Sequence, residues 1–195
     1  DGPRRAQAQG LDQVSRPRPE VPGMDLTGTV LEVGEGVEHL QVGDRVIAQM
    51  GIGAMAEVVN CDARAVWKAP DNVPLSHCAN VGRNFFAAYH SLKVIGELGP
   101  GDLVLIDGAS GGVGMAGIQL AKAMGAQVIA GVSVPEKQEY PAAAGADRVL
   151  CYGRDRESHR AFKKDVKEAA RELGHPDGVD LVLDMVQGDL FEGAL

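Results

Sequence analysis

Residues 103–114 constrain the fold of this chain more than any other segment. They read LVLIDGASGGVG, an apolar run followed at once by a glycine-rich turn. Residues 103–106 have the length of a buried parallel strand, and residues 115–124 are rich in helix-favouring side chains. A strand, a glycine-rich turn and a helix in this order are the context that a dinucleotide-binding fingerprint requires. The segment therefore predicts a nucleotide site, and the alternative is a tight turn that needs small residues for structural reasons alone.

Each small residue of the turn has a separate predicted task. Ala109 stands at the first position of the fingerprint G-x-G-x-x-G, where the chain turns sharply, and Gly111 at the second, where a pyrophosphate approaches the backbone. Gly114 is at the third, where helix and strand pack closely. Backbone amides at a helix start favour an anion without any lysine. The predicted cofactor-binding residues of the turn are Ala109, Ser110, Gly111, Gly112, Val113 and Gly114.

The second half of the chain repeats strand and helix patterns. We predict strands at 127–132, 148–152 and 179–186, and helices at 135–145 and 157–173. Alternation of this kind implies a parallel sheet covered by helices on both faces. The predicted fold class is therefore α/β, with a doubly wound parallel sheet in this half.

The first half has a different pattern. Residues 1–22 show little periodicity and are predicted to form a loop or a poorly ordered end. Short β-rich runs at 29–33, 44–48 and 56–59 are separated by glycines and indicate a small β domain. A helix is predicted at 76–92. We place the domain boundary near Asn72, which gives domains at 1–72 and 73–195.

The residue after the second strand bears on which nucleotide would bind. NAD-preferring sites carry an acidic residue roughly 20 positions past the fingerprint, but Val132 stands at that place. Ser133 and Lys137 follow, a small donor and a cation that suit the 2′-phosphate of NADP. We therefore favour NADP over NAD, although Lys137 can also be read as an ordinary solvated lysine.

Composition restricts the class of partner. The formal net charge is −8, which argues against a nucleic-acid or anionic-membrane binder. The three cysteines have no framework spacing, which suits a reducing compartment. Neither a spanning apolar run nor a secretory leader is visible. We expect a small-molecule partner and a cytoplasmic location, with a mitochondrial location as the alternative.

Several ordered motifs resemble the medium-chain dehydrogenase/reductase superfamily, within its zincless quinone oxidoreductase branch. The motifs are PGMDLTGTVLEVGEGVEHLQVGDRVIAQ, GAMAEVV, AAYHSL, GASGGVG, QLAKAMGAQVIA and DGVDLVLDMVQGDLF. The resemblance implies a GroES-like catalytic β domain beside a Rossmann domain, and NADPH as cofactor. It also implies hydride transfer to a quinone or a conjugated carbonyl. Residues matching Ser133, Lys137 and Tyr152 surround the 2′-phosphate in that family.

The same resemblance bears on metal and catalysis. Zinc-dependent relatives carry histidine where this chain has Met24, a ligand that zinc does not favour, so we predict no metal. No catalytic residue is assigned, because packing is the better explanation for Tyr89 and His90. Ala87, Arg83 and Gln187 depart from the family pattern, which puts the hydride site in doubt. Two alternatives stay open: an enoyl-thioester reductase on the same framework, and a nucleotide-binding protein without catalysis.

The resemblance also indicates a chain shortened at both ends. Family members have further strands before PGMD and more sheet after the fourth strand. We therefore expect a partial GroES-like domain and a partial Rossmann domain, with residues 179–186 as an exposed apolar edge. A homo-oligomer is expected for the full-length protein.

Overall fold

The computed structural model describes residues 21–153, 155–188 and 190. It divides into two compact units, one ending at Arg83 and one beginning at Asn84. The division falls later in the chain than the predicted boundary near Asn72. Of the predicted irregular segment 1–22, residues 1–20 lie outside the described residues.

The first unit contains a three-stranded antiparallel sheet. Its strands are β1 (Asp25–Thr29), β2 (Arg45–Gln49) and β3 (Val66–Lys68), in the order β1-β2-β3. Val46, Ala48 and Val66 form its small buried core. The small β domain predicted for this half is confirmed.

Two of the strand predictions in this unit need correction. The strand predicted at 29–33 lies at Asp25–Thr29, because hydrogen bonds between Val30 and the turn at residues 43–44 close the ladder there. The strand predicted at 56–59 is wrong. Those residues form bends and are largely exposed, and the third strand instead follows a short turn at Ala63–Ala65. Side-chain propensity did not reveal which run finds a partner strand.

A helical stretch follows the first sheet, but it is not the single helix predicted at 76–92. It begins with α1 (Leu75–Cys78) and is interrupted at residues 79–80. A π-helical turn, Val81–Phe85, leads into α2 (Phe86–Tyr89), and a second, His90–Ile95, ends the stretch.

The second unit contains a four-stranded parallel sheet. Its strands are β4 (Leu103–Asp107), β5 (Gln127–Val132), β6 (Arg148–Cys151) and β7 (Leu181–Leu183). The spatial order is β6-β5-β4-β7, with Leu105 opposite Ile129 and Val182. Every residue of β4 is buried, as expected for a central strand covered on both faces.

The helices of this unit cover the two faces of the sheet. The three that connect its strands are α3 (Gly112–Ala123), α4 (Glu139–Ala143) and α5 (Arg156–Glu172), and α2 also belongs to this unit. Val104 and Ile106 share a core with Ile118 of α3, whereas Leu105 shares the opposite core with Phe162 of α5. The doubly wound α/β prediction is confirmed, although α3 begins earlier than predicted and β7 is shorter. Among the described residues, no helix is long and apolar enough to cross a membrane.

The strand order reverses beside β4. The chain adds β5 and then β6 on one side of β4, and β7 lies on the other side. In open α/β sheets, ligands bind outside the carboxyl ends of the strands at such a reversal. The turn that follows β4 is therefore at the place where this fold class binds nucleotides.

Candidate nucleotide-binding site

The turn after β4 leads directly into α3. Gly108 adopts a φ of 65°, and the Gly111 amide donates to the Gly108 carbonyl at 2.9 Å. Gly111 is the residue before the helix, and no side chain caps it. Helix geometry leaves the first amides of α3, those of Gly112, Val113 and Gly114, without a helical acceptor. These amides and the helix dipole favour an anion at this end.

Close packing fixes the two outer positions of the fingerprint. A Cβ atom on Gly114 would lie 2.6 Å from the Ala109 Cα and 2.8 Å from its carbonyl oxygen. Ala109 is fully buried, and its amide donates to the Gly131 carbonyl at 3.0 Å. The backbone of α3 therefore rests on the turn at a distance that only glycine at position 114 permits.

The middle of the turn is more open. A Cβ atom on Gly111 would meet the Gly108 carbonyl oxygen at 3.2 Å, and Gly111 is exposed. A Cβ atom on Gly112 would overlap the side-chain amide of Asn84. Asn84 therefore places a polar amide against the start of α3. In the sequence this segment shows only a departure from the family pattern, and the contact between Asn84 and Gly112 is not visible there.

Two of the three residues predicted for the 2′-phosphate lie together. Tyr152 follows β6 and is buried, with 6% of its surface exposed. Burial and the nearby Asp107 raise the pKa of the Tyr152 phenol, while a hydrogen bond with the Ser133 side chain opposes that shift. Lys137 is exposed, in the turn Pro135–Lys137 that follows β5.

Asp107, the last residue of β4, is a site feature that sequence reasoning missed. It is fully buried, and neither carboxyl oxygen has a hydrogen-bond partner among the described residues. Burial raises the pKa of Asp107 to about 7, and the charge of Asp184 adds to the shift. The sequence does contain a sign of it, because Asp107 directly follows the four apolar residues of a predicted buried strand.

The residue at the zinc-ligand position of the family motif faces a cation. The Arg83 guanidinium donates to the Met24 sulfur at 3.2 Å and pairs with the Asp25 carboxylate at 3.4 Å. Gln49 also donates to Asp25. A guanidinium at this position disfavours a second cation. Within the described part of the chain, no cluster of three or more histidine, cysteine or acidic side chains could hold a metal ion.

Gln187 adopts a backbone conformation that favours glycine. Its φ is 59°, and its amide donates to the Asp184 carboxylate at 3.0 Å. Glycine is common at this position in the family that the chain resembles. The structure gives the physical reason, since left-handed φ values carry a cost for residues with a Cβ atom.

Two family models match the chain. The alcohol dehydrogenase GroES-like domain matches residues 5–71, and the zinc-binding dehydrogenase domain matches residues 112–195. Quinone oxidoreductase-like protein 2 of Bos taurus is 35% identical over 96% of this chain and 51% of its own length. The chain thus spans about half the length of the curated quinone oxidoreductases and quinone oxidoreductase-like proteins that it matches.

Solved structures agree in fold. The Escherichia coli quinone oxidoreductase complexed with NADPH matches with a TM-score of 0.82 and 29% identity, over 98% of this chain and 56% of that one. The CurK enoyl reductase matches with a TM-score of 0.77 and 27% identity, over 90% of this chain and 50% of that one. Both likenesses extend over the two units.

Proposed function

We propose that this chain, which belongs to the medium-chain dehydrogenase/reductase family, binds NADPH and passes hydride to a quinone or another conjugated carbonyl. The observation that carries the proposal is the turn between β4 and α3. It presents uncapped helix amides at the strand-order reversal, and its tight contact between Ala109 and Gly114 is the one that the fingerprint requires. NADPH in the structure of the Escherichia coli relative supports the choice of cofactor.

The pyrophosphate would be held by the backbone. The amides at the start of α3 supply donors, and the Asn84 side chain adds a neutral polar group beside Gly112. Neither is a formal charge, so the proposed site depends on hydrogen-bond geometry and on the helix dipole. An anion is thereby accommodated in a chain whose net charge is −8.

The 2′-phosphate would be held by Ser133, Tyr152 and Lys137. The Ser133 side chain is close enough to lower the pKa of the Tyr152 phenol, and Lys137 supplies an exposed cation. Val132 offers no carboxylate to the ribose hydroxyls. This arrangement supports a preference for NADPH over NADH.

The residues of this chain orient the cofactor and exclude water. When bound, the nicotinamide supplies the hydride, and the protein contributes position and electrostatics. A reduced quinone can take its proton from water, so the proposal assigns no general acid. Position 87 is alanine where family members commonly carry threonine, so the proposed hydride site has one hydroxyl group fewer.

An enoyl-thioester reductase is the second candidate function. The likeness to the CurK enoyl reductase favours it, because that enzyme has the same fold over most of this chain. A nucleotide-binding protein without turnover is the third. The acceptor decides between the first two, since both would use the same cofactor site.

A titration followed by turnover tests the proposal. NADPH fluorescence should change on binding with a 1:1 stoichiometry, and NADH should bind more weakly. NADPH oxidation is then followed with a panel of quinones and with enoyl thioesters. Turnover on quinones supports the first function, turnover on thioesters alone supports the second, and binding without turnover supports the third. Absence of binding by either dinucleotide would contradict all of them.

We propose further that the acceptor is a small molecule and that the protein forms a homo-oligomer. The location that we propose is cytoplasmic, with a mitochondrial location as the alternative. Cross-linking of the protein, compared with its mass in solution, tests the oligomer.

A further inference from the structure

A buried carboxyl group at the end of β4 has no role in the function proposed above. Both oxygens of Asp107 lack a hydrogen-bond partner among the described residues, and the side chain is fully buried. Such a group destabilises a fold, and proteins that keep one commonly use it at a functional site. Its neighbours indicate what that use is.

Asp107 reaches across to β5. A Cβ atom on Gly131 would overlap the Asp107 carboxyl group, so the glycine leaves the space that this group fills. The same point lies 3.0 Å from the Phe162 ring and 3.3 Å from the Tyr152 ring. Gly131 directly precedes Val132, the position where NAD-binding folds carry their acidic residue. Strand β4 therefore brings the Asp107 carboxyl group close to the position where β5 itself carries the apolar residue Val132.

We propose that Asp107 sets how strongly this chain prefers a dinucleotide with a 2′-phosphate over one without it. The inference rests on the proposed function, because it takes Ser133 and Tyr152 as the residues that hold the phosphate. An uncharged carboxyl group leaves the phosphate unopposed. An ionised one repels the phosphate dianion through an interior that screens charge weakly. NADH lacks the phosphate and is free of this repulsion.

Other titratable groups surround Asp107 and Tyr152. Tyr152 faces Asp107 from the end of β6, and Asp184 faces it from the segment after β7. His159 of α5 packs edge-on against Tyr152, with ring centroids 6.3 Å apart, and Cys151 adjoins Tyr152 in the chain. Burial and Asp184 bring the pKa of Asp107 to about 7, so its charge changes near neutral pH. A bound phosphate would raise that pKa further, and Asp107 would then take up a proton.

The test compares cofactor preference across pH. Affinities for NADPH and NADH are measured between pH 6.5 and 8.5 for the wild type and for Asp107→Asn. We expect the wild-type preference for NADPH over NADH to fall about tenfold as pH rises. A tenfold change corresponds to a bound phosphate that raises the pKa of Asp107 by about one unit. The preference of Asp107→Asn should change much less, although the phosphate ionises equally in both experiments. His159→Gln is the matched control and should keep the wild-type profile.

A second measurement needs no variant. Calorimetric titrations of the wild type near pH 7, in buffers of different ionisation enthalpy, count the protons exchanged on binding. Net uptake with NADPH but not with NADH supports the inference. The inference is wrong if the preference for NADPH depends on pH in the same way in the wild type and in Asp107→Asn. It is also wrong if that pH dependence disappears in His159→Gln. Neither result would contradict the proposed cofactor site. If neither dinucleotide binds, the proposed function fails as well.

Discussion

Asp107 couples the stability of the fold to pH. Its folded pKa of about 7 exceeds the ordinary value of 3.8. Between these values the unfolded chain loses its proton and the folded one keeps it, so stability falls as pH rises. This fall in the free energy of unfolding is complete above about pH 7. It totals a few kcal/mol, because each unit of pKa difference corresponds to roughly 1.4 kcal/mol.

Asp107→Asn should therefore flatten this dependence. The variant cannot ionise, so we expect it to exceed the wild type in stability at pH 8 and to lose that advantage at pH 5. Urea unfolding at intervals between these pH values provides the measurement. Parallel profiles for the two proteins would show that Asp107 ionises as freely in the folded state as in the unfolded chain.

Gly111 and Gly114 should respond differently to the same substitution. Gly114→Ala places a Cβ atom 2.6 Å from the Ala109 backbone, and we expect a loss of about 1–3 kcal/mol in unfolding free energy. Gly111→Ala meets only the Gly108 carbonyl oxygen, at 3.2 Å, and should cost less. Its methyl group should instead weaken NADPH binding, because the proposed site brings the pyrophosphate against the backbone of Gly111.

Thermal unfolding and NADPH titration of both variants separate the two effects. The Gly114→Ala protein should show the larger fall in melting temperature. The Gly111→Ala protein should unfold near the wild type and bind NADPH several-fold more weakly. Unchanged affinity in a folded Gly111→Ala protein would argue against the assigned role of this residue.

At the scale of elements, one carboxylate joins α3, β5 and the start of β6. Asp147 accepts from the Lys122 ammonium at 2.7 Å and from the Val128 amide at 2.7 Å. Val128 is fully buried, so its amide would lose its partner in Asp147→Ala. We expect a cost of about 1–3 kcal/mol for that variant. Lys122→Met removes only the ion pair and should cost less than about 1 kcal/mol.

Chemical denaturation of both variants measures the difference. Equal losses would mean that the ion pair, rather than the bond to the Val128 amide, carries the stabilisation.

Elements with a strong local pattern could be predicted from the sequence. β4 and β5 are buried on both faces and read as continuous apolar runs, and β5 has the predicted bounds. The strand predicted at 56–59 failed because pairing in a small antiparallel sheet is decided by distant partners. The helix predicted at 76–92 is interrupted at residues 79–80, beside Asn80 and Gly82, which disfavour a helix interior.

The candidate site was predictable where backbone chemistry defines it. The turn residues could be predicted because the spacing of small residues permits a sharp turn and close packing of a helix on a strand. Asn84 and Asp107 were missed because their importance depends on what they touch. Asn84 lies against Gly112 and Asp107 against Gly131, and neither contact is visible in one dimension.

At the scale of the whole molecule, β7 is an outer strand of the parallel sheet. The three residues Leu181–Leu183 are apolar and partly buried, and one edge of the strand has no neighbour among the described residues. Such edges invite pairing with another chain. We expect reversible self-association of this chain as its concentration rises. Sedimentation velocity over a range of concentrations tests this, and a monomer at every concentration would contradict it.

Under the proposed function, backbone amides at the start of α3 bind the pyrophosphate of NADPH. The most direct measurement is the change in amide nitrogen and proton chemical shifts when NADPH is added to the isotopically labelled chain. We predict that the largest changes fall on Gly111, Gly112, Val113 and Gly114. If NADPH binds but shifts only amides elsewhere and leaves these four unchanged, the pyrophosphate does not bind at the start of α3.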